Sequence, residues 1–331
     1  MKIAALEVLV CPTCKDTLVL DRVLVEDGRE VLEGRLRCEV CGVTFPIRGG
    51  VPRFVPHGDY AGSFGSQWNW FRTVQIDSHN ETTTSERALR ATTGWSDHQY
   101  AGRLLLDAGV GAGRFAERAA AKGAQVFGVD LTTAIDAAFR NIGHRENVHL
   151  VQADILALPF RPCTFELAYS IGVLHHTPHP PTAFARVAET VKAGGRLAVY
   201  LYAGYGPWHR ASDVLRAITT RLPLAVMWAL SAAAVPLYYL YRVPVVGRAL
   251  RLVLPISMER HWRWRWLDTF DWYTPKYQWK YLYPEIYRWF RDNGFDHVEL
   301  FDGPIRMSAR RTLVIDATHD SSRFEHDLVA S

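Results

Sequence analysis

The chain has 331 residues, of which 48% are hydrophobic and 22% are charged, values typical of a globular protein with one large domain and one or two small ones. Its net charge of +4 is too small to indicate nucleic-acid binding by itself. The N-terminus does not resemble a signal peptide, and five cysteines, four of them in two close pairs, are a poor basis for a secreted disulfide scaffold, so we expect a cytoplasmic protein.

Residues 1–56 contain two CxxC motifs, Cys11-Pro-Thr-Cys14 and Cys38-Glu-Val-Cys41. Short strands around two such turns present four thiolates at tetrahedral geometry, which suits a structural Zn²⁺ site. Glycines and prolines between residues 49 and 56 end the module. The sequence therefore predicts a zinc ribbon in which Cys11, Cys14, Cys38 and Cys41 hold the metal. Disulfides within each CxxC pair, or a site that has lost its metal, are the alternatives.

From residue 103 onwards, strand patterns alternate with helix patterns, after a polar and aromatic stretch with one predicted helix near 85–91. Such alternation predicts βαβ units and a parallel sheet. The predicted fold class is α/β, with a doubly wound, mostly parallel, seven-stranded, Rossmann-like sheet. The predicted strands are 104–106, 125–129, 148–152, 165–171, 196–201, 297–301 and 311–316, and the predicted helices are 115–122, 133–141, 181–191 and 284–293.

The strongest signal in the sequence is a glycine-rich turn between the first of these strands and the helix that follows. It contains Gly109, Gly111 and Gly113, and glycine lets the backbone approach a ligand where a Cβ atom would clash. A ligand is expected beyond the carboxyl ends of the strands, where the strand order reverses.

Three aspartates accompany this turn, at the ends of successive predicted strands: Asp107, Asp130 and Asp154. Their carboxylates can accept hydrogen bonds from an amino group, from two ribose hydroxyls and from an adenine amino group, respectively. A dinucleotide site needs the first two features but not the third. The set therefore favours an adenosyl ligand on which all three carboxylates converge.

Residues 103–202 resemble the class I methyltransferase family, especially the branch of the ubiquinone and menaquinone C-methyltransferases. The resemblance rests on the motifs LLLDAGVGAGRF, VFGVDL, VQADILALPF, FELAYSIGVLHHTPHP and VKAGGRLAVYLY. It implies S-adenosylmethionine (SAM) as the cofactor, Asp130 as the ribose ligand, and Asp154 with Ile155 at the adenine. The cofactor-binding candidates are Asp107, Gly109, Gly111, Gly113, Asp130, Leu131, Asp154, Ile155 and Ser170.

Two histidines follow the fourth strand, and the resemblance places their loop near the methionine end of the cofactor. His175 and His176 are the catalytic candidates, because an imidazole can deprotonate an oxygen or carbon acid. The alternative is that they only hold the loop, since methyl transfer to a good nucleophile needs mostly alignment. The loop lacks the Asn/Asp-Pro-Pro-Tyr/Phe segment that is usual in amino-directed nucleic-acid methyltransferases, which disfavours nucleobase amino groups as acceptors.

The end of the cysteine module, from Phe45 to Phe54, resembles the small zinc ribbons that activate tRNA and translation-factor methyltransferases. It also resembles the ribbon fused ahead of some rRNA guanine methyltransferases. Three roles stay open for the module: binding RNA, binding a partner, or supporting the catalytic domain of its own chain.

Residues 205–266 interrupt the alternation and form a predicted hydrophobic helical cap, inserted into a catalytic domain of residues 57–204 and 267–331. No charged residue occurs from Pro223 to Tyr241. Three interpretations stay open: a buried cap over the active site, a surface (222–266) that contacts a membrane, and a transmembrane helix.

Two further segments are candidates for the neighbourhood of the reacting groups. Residues 64–68 are expected to lie over the cofactor as a lid, by resemblance. Asp271, Tyr273 and Gln278, in an aromatic stretch after the cap, are expected to line the acceptor pocket.

The leading hypothesis is SAM-dependent methyl transfer to an oxygen or carbon of a hydrophobic or natural-product-like small molecule. One alternative is an RNA base methyltransferase that uses the zinc ribbon for substrate recognition, although nucleic acid is the less favoured partner. The other is a non-catalytic SAM-binding scaffold. The sequence favours no oligomeric state, and the membrane interpretation of the cap makes the protein peripheral to the membrane.

Overall fold

The computed structural model describes residues 1–28, 30–55, 62–205 and 208–313. Its N-terminal ribbon is a four-stranded antiparallel sheet that follows a 3₁₀ helix, Ile3–Glu7. The strands, in spatial order, are β1 (Leu18–Asp27), β2 (Glu30–Cys38), β3 (Thr44–Arg48) and β4 (Val51–Pro52). One CxxC motif lies before β1 and the other begins at the end of β2, so the four cysteines meet at one end of the ribbon.

A seven-stranded sheet forms the centre of the molecule, in the order β10-β11-β9-β8-β5-β6-β7. Its strands are β5 (Leu104–Ala108), β6 (Gln125–Asp130), β7 (Val148–Gln152), β8 (Phe165–Ile171), β9 (Val191–Tyr200), β10 (Phe295–Phe301) and β11 (Arg306–Arg311). Strands β5 to β9 are parallel, and β11 runs antiparallel to both of its neighbours. The predicted fold class is confirmed, and the chain order reverses at β5, where a ligand is expected.

Helices cover both faces of this sheet. Because alternate residues of a strand point to opposite faces, each strand contributes side chains to the hydrophobic cores on both faces. Leu105 and Val126 share a hydrophobic core with two of these helices, whereas their neighbours Leu106 and Phe127 share another core with the other two. The first pair of helices is α4 (Arg114–Ala121) and α5 (Ala134–Ile142), and the second pair is α6 (Pro180–Glu189) and α12 (Tyr283–Asp292).

Within the described residues, three α-helices precede the central sheet: α1 (Gly62–Trp70), α2 (Asp77–Asn80) and α3 (Thr84–Thr93). Helix α3 is the one predicted near 85–91, and it packs against α4, β9 and β11. The Asp77 carboxylate accepts hydrogen bonds from the backbone N–H groups of Ser85 and Glu86, at 3.0 and 2.9 Å. These bonds satisfy donors that the first turn of α3 would otherwise leave without partners.

The ribbon packs against the edge of the central sheet that ends in β7. Leu9 forms a β-bridge with Phe160, and Arg53 donates a hydrogen bond to Gln152 Oε1 at 2.8 Å and pairs with Asp136 at 2.7 Å. Apolar side chains of the ribbon also belong to the same hydrophobic core as α6 and α12. The ribbon therefore packs against the part of its own chain that contains the central sheet.

In the part of the chain between β9 and α12 that the structure describes there are five helices: α7 (Trp208–Thr219), α8 (Leu224–Ala232), α9 (Ala234–Tyr241), α10 (Pro244–Val253) and α11 (Trp262–Tyr273). Helix α11 packs against α7, α8 and α9. The domain boundary that the sequence suggests, between residues 266 and 267, lies inside α11, because this helix continues without a break. We propose that the cap comprises α7 to α11.

The last strand of the sheet lies earlier than the sequence predicts. The apolar run near 311–316 suggests a strand, but β11 spans Arg306–Arg311, and residues 314–316 lie outside the described part of the chain. Ser308 is buried opposite Ala198 of β9, so pairing with a distant strand decides the position of this mostly polar segment. Strand β9 also lies earlier than predicted. It begins at Val191, the last residue of the predicted helix 181–191, whereas the sequence predicts a strand over 196–201.

Candidate cofactor and acceptor site

A cavity of about 360 Å³ lies at the carboxyl ends of β5, β6 and β8. The glycine turn after β5 and the segments after β6 and β8 contribute part of its lining, and helices α1 and α11 contribute another part. Binding sites for small molecules typically have volumes of roughly 300–1,000 Å³. The cavity therefore lies where the topology predicts a ligand, and it has the size of a small-molecule site.

The glycine turn follows the path that its sequence predicts. Gly109 has a φ angle of 97°, and a Cβ atom there would lie 2.3 Å from Val173 Cγ2. Gly111 lines the cavity, and its N–H group donates a hydrogen bond to Asp130 Oδ2 at 2.9 Å. Gly113 is the N-cap residue of α4, and a Cβ atom there would lie 2.7 Å from Ile142 Cδ1. Close packing thus requires glycine at the first and third positions, and only Gly109 and Gly111 reach the cavity.

Asp130 is the strand-end carboxylate that lines the cavity. Its Oδ1 atom accepts hydrogen bonds from the Thr132 N–H group at 2.9 Å and from Thr132 Oγ1 at 2.8 Å. Leu131 and Ile155 line the cavity beside it. The structure thus brings five predicted cofactor-binding residues to one cavity: Gly109, Gly111, Asp130, Leu131 and Ile155.

Asp107, Asp154 and Ser170 do not line the cavity, so of the three predicted strand-end carboxylates only that of Asp130 does. Asp107 is buried and accepts a hydrogen bond from the Tyr169 hydroxyl at 3.0 Å, and burial raises its pKa to about 7. Asp154 accepts from the Leu156 N–H group at 2.9 Å and caps a short 3₁₀ helix. Ser170 donates to the Ala108 carbonyl oxygen at 2.7 Å. Each side chain has a local partner that its strand-end position does not reveal.

The two histidines have different surroundings. His176 lines the cavity, and its Nδ1–H group donates to the Tyr277 carbonyl oxygen at 2.8 Å, which leaves Nε2 as the unprotonated nitrogen of the neutral ring. Burial lowers the pKa of His176 to about 4. His175 is buried outside the lining, and its ring stacks on Tyr202 with 4.0 Å between centroids. Of the two catalytic candidates, His176 alone lines this cavity.

Helix α11 places two carboxylic acids one turn apart in the cavity. Asp268 accepts hydrogen bonds from Gln75 Nε2 at 3.3 Å and from Ser257 Oγ at 3.2 Å, and Asp271 accepts from Gln67 Nε2 at 2.9 Å. Burial, with repulsion from Asp271, raises the pKa of Asp268 to about 8, and burial raises that of Asp271 to about 6. Perturbed carboxylic acids in a cavity are typical of functional sites.

The sequence suggested Asp271 as an acceptor-pocket residue but missed Asp268. The i, i+3 spacing of the two aspartates was the available signal, because it places both on one side of a helix such as α11. Tyr273 and Gln278 do not line the cavity, because the Tyr273 hydroxyl donates to the Pro255 carbonyl oxygen and Gln278 Nε2 donates to the Trp272 carbonyl oxygen.

Two aromatic residues of α1 lie where the suggested lid should lie. Phe64 and Trp68 line the cavity, and the Phe64 ring centroid is 5.1 Å from that of His176. The Trp68 ring lies beside Gly111, where a Cβ atom would be 3.5 Å from Trp68 Cε2. These rings lie between the glycine turn and the histidine loop.

Arg114 is a further cavity residue that the sequence analysis missed. It follows Gly113 at the start of α4, and its Nη1 donates a hydrogen bond to Gln75 Oε1 at 2.5 Å. Its guanidinium group is buried 4.5 Å from the Phe115 ring centroid, and its charge opposes the rise in the pKa of Asp268. The signal for Arg114 was its place directly after the glycine turn.

The four cysteines of the ribbon form a second candidate site. Their Sγ atoms all lie within 4.8 Å of one another, with 3.7 Å between Cys11 and Cys41 and 3.4 Å between Cys14 and Cys38. A tetrahedral Zn²⁺ with Zn–S bonds of about 2.3 Å would separate its sulfurs by about 3.8 Å. All four are free thiols in this arrangement, so it fits a zinc site and not disulfides within the pairs.

The fold, the glycine turn with Asp130 and the cysteine cluster fit a class I SAM-dependent methyltransferase with an N-terminal zinc ribbon. Comparison with known families agrees: residues 106–199 match the family described as "Methyltransferase domain", and residues 2–50 match "Trm112p-like protein". The first match covers most of the parallel part of the central sheet, and the second covers most of the ribbon.

Curated relatives match about a third of the chain. A tRNA U34 carboxymethyltransferase of Pseudoalteromonas translucida is 35% identical over 102 residues, which is 30% of this chain and 31% of the relative. A ubiquinone biosynthesis O-methyltransferase of Paracidovorax citrulli is 34% identical over 113 residues, 31% of this chain and 45% of the relative. The chain thus spans less than half the length of these two relatives.

Among solved structures, the complex between the Haloferax volcanii Trm112 methyltransferase activator and a methyltransferase is similar to this chain. The TM-score is 0.43 and the sequence identity is 14%, with 73% of this chain and 80% of that chain covered.

We predict that the purified protein contains one zinc ion per chain and that Cys38→Ser removes it. Loss of the metal should lower the free energy of unfolding by at least about 3 kcal/mol, because the ribbon core is organised around the site. Metal analysis and urea unfolding measure both effects. Cys163→Ser, which changes the exposed cysteine outside the cluster, is the matched control. A zinc-free wild type with disulfides in the CxxC pairs would contradict the assignment.

We predict that Asp268→Asn makes the protein more resistant to alkaline pH. The pKa of Asp268 is raised from 3.8 to about 8 in the folded protein. The protonated carboxyl group therefore contributes its full stabilisation below a pH of about 3.8, and this stabilisation is lost as the pH rises through about 8. Between about pH 5 and about pH 9, wild-type stability should fall by about 1–3 kcal/mol more than that of the variant.

Urea unfolding at both pH values measures this difference. Asp107, whose pKa is also raised, is present in both proteins and cancels from the comparison. Asp292→Asn, at an exposed position of α12, is the control and should keep the wild-type dependence. Equal pH dependence in Asp268→Asn and the wild type would contradict the prediction.

Proposed function

We propose that this protein transfers the methyl group of SAM to an oxygen or carbon of a hydrophobic small molecule. The observation that carries the proposal is one cavity that joins the glycine turn and Asp130 to the aromatic and acidic face of α11. The cavity reaches Leu267, Asp271 and Trp272 of α11 as well as the glycine turn, which argues against a non-catalytic scaffold in which side chains would block the acceptor position.

The residues on the sheet side fit SAM. Asp130 would accept hydrogen bonds from the ribose hydroxyls, and Leu131 and Ile155 would provide apolar contacts to the adenine. When bound, SAM supplies an electrophilic methyl group. Phe64 and Trp68 would cover the site and exclude water, which strengthens the electrostatic interactions inside it.

The residues on the cap side fit an apolar acceptor. Leu267, Trp272 and Tyr202 line the cavity together with Asp271 and His176. Methylation of a neutral O–H or C–H group releases a proton. Asp271, with a pKa of about 6, is better matched to neutral pH than His176, with a pKa of about 4, and a general base works best when its pKa is near the operating pH. We therefore assign proton acceptance to Asp271.

We predict that Asp130→Ala abolishes SAM binding in isothermal titration calorimetry. The variant loses the carboxylate that lines the cavity and accepts from the Gly111 N–H group. Asp136→Ala is the matched control, because that carboxylate pairs with Arg53 on the ribbon side and does not line the cavity. Circular dichroism checks that both variants fold. Wild-type affinity in Asp130→Ala would refute the cofactor assignment.

We predict that Asp271→Asn lowers kcat by about 10²-fold or more, because a positioned general base typically contributes at least that factor. In the wild type, kcat/KM should rise as the pH increases through about 6, where Asp271 ionises, and this step should vanish in the variant. Acceptors are found first by incubating the protein with isotope-labelled SAM and metabolite extracts.

The histidine variant discriminates between the two bases. His176→Phe should keep the step near pH 6, because the group that titrates there is Asp271. A wild-type rate and pH profile in Asp271→Asn, or loss of the step only in His176→Phe, would reassign the base.

A second candidate function is methylation of an RNA base. It is favoured by the Trm112p-like match of residues 2–50 and by the tRNA-modifying relative. Direct binding of RNA would weaken steeply as salt increases, because phosphate contacts release counterions. Labelled methyl groups that appear in RNA, and not in the small-molecule fraction, would select this alternative.

A further inference from the structure

We propose that the outer face of helices α8 to α10 binds the surface of an anionic lipid bilayer, so that the protein is peripheral to a membrane. The outer face is defined here as the exposed side chains between residues 224 and 254. The docking itself does not depend on the proposed function.

The outer face is apolar to a degree that is unusual for an exposed helical surface. Eleven large hydrophobic side chains between residues 224 and 254 are exposed, among them Val245 (80%), Tyr239 (71%), Val253 (69%) and Leu230 (55%). Exposed apolar side chains in such number on three consecutive helices indicate an interaction site in a soluble protein.

Helices α8 and α9 form one apolar run with one buried stripe. Leu224–Tyr241 has a mean hydropathy of 1.5, and only 22% of it is buried. The buried positions are Met227, Ser231, Ala234 and Tyr241, which recur at helical spacing and therefore lie on one side. A helix on the surface of a soluble protein normally has charged residues on its other side. Here that side contains no charged residue from Pro223 to Tyr241.

The charges next to the run are positive. From residue 214 to residue 258 the sequence contains five arginines and no aspartate or glutamate. Arg221, Arg242, Arg248 and Arg251 are exposed. Arginine side chains lie along apolar surface while their guanidinium groups reach phosphates, so this arrangement is complementary to anionic headgroups. Trp262, exposed at the start of α11, is of the residue type that is enriched at membrane–water interfaces.

Contacts with α11 favour binding at the surface over spanning the bilayer. Trp266 Nε1 donates to the Trp228 carbonyl oxygen at 3.0 Å, and the Arg265 guanidinium lies 3.6 Å from the centroid of the Tyr238 ring. If α8 and α9 crossed a bilayer, α11 with its arginines and buried aspartates would be drawn into the hydrocarbon, where charges are expensive. A helix that lies in the interface buries only its apolar side.

The same helix connects the outer face to the cavity. On one side α11 packs against α8 and α9, and on another side it carries Leu267, Asp268 and Asp271 into the cavity lining. Docking would therefore hold the acceptor side of the site next to the bilayer. The link between docking and the acceptor rests on the proposed function. From this link we infer that the methyl acceptors are lipid-soluble molecules.

Vesicle binding by the full chain tests the docking. The wild type should float with vesicles of equal parts phosphatidylcholine and phosphatidylglycerol, and more weakly with phosphatidylcholine alone. Val245→Asp/Val253→Asp should weaken binding by about tenfold or more, because two exposed apolar side chains no longer enter the lipid. Arg221→Gln/Arg248→Gln should remove most of the preference for anionic vesicles.

Leu24→Asp is the matched control, because Leu24 is 61% exposed on β1 of the ribbon, away from the outer face. Equal binding of the wild type and Val245→Asp/Val253→Asp, or equal loss in Leu24→Asp, would overturn the proposal. Release only by detergent, and not by alkaline carbonate, would replace it with a transmembrane span. A wild-type dimer in light scattering that the double variant dissociates, without vesicle binding, would assign the outer face to a second copy.

SAM calorimetry on the same proteins separates the two proposals. The double variant should bind SAM like the wild type, which also shows that it is folded. Failure of all proteins to bind SAM would refute the proposed function while the vesicle results still decide the docking.

Discussion

Buried hydrogen bonds join helix α11 to the cofactor side of the site, and the cavity depends on them. Gln67 donates to Asp271, and Gln75 donates to Asp268 while it accepts from Arg114. Arg114 begins α4 directly after the glycine turn, so the bonds run from that turn to the cap. Burial of a carboxylic acid without partners costs several kcal/mol. The cap can therefore lie over the sheet only where these partners meet.

The same burial gives the two acids of α11 different protonation states. Near neutral pH, Asp268 with a pKa of about 8 is mostly protonated and can donate a hydrogen bond, whereas Asp271 with a pKa of about 6 is mostly ionised and can accept a proton. Carboxylic acids whose environments separate their pKa values are typical of acid–base sites. His176, held neutral by burial, adds a polar group without adding charge.

The ribbon and the cap both pack against the part of the chain that contains the central sheet, and they contact different parts of the site. The ribbon bonds to the segment that follows Ile155: the Val10 N–H group donates to the Pro159 carbonyl oxygen at 2.9 Å, and Lys15 Nζ donates to the Leu158 carbonyl oxygen at 2.6 Å. A metal ion held by the four cysteines would thus support a segment that reaches the cofactor side. In the proposed function the cap supplies the acceptor side, and the apolar outer face also belongs to the cap.

By itself the sequence determined the features that depend on neighbouring residues: the alternation of strands and helices, the glycine turn, and the spacing of four cysteines. Periodicity and turn preferences are local, so they can be read along the chain. Only the tertiary structure decided which polar groups share the cavity. Asp107 and Asp154 accept hydrogen bonds from Tyr169 and Leu156 and do not line the cavity. Asp268 and Asp271, which belong to a helix more than a hundred residues later in the chain, do line it. A side chain's partners come from distant segments, and packing alone brings those segments together.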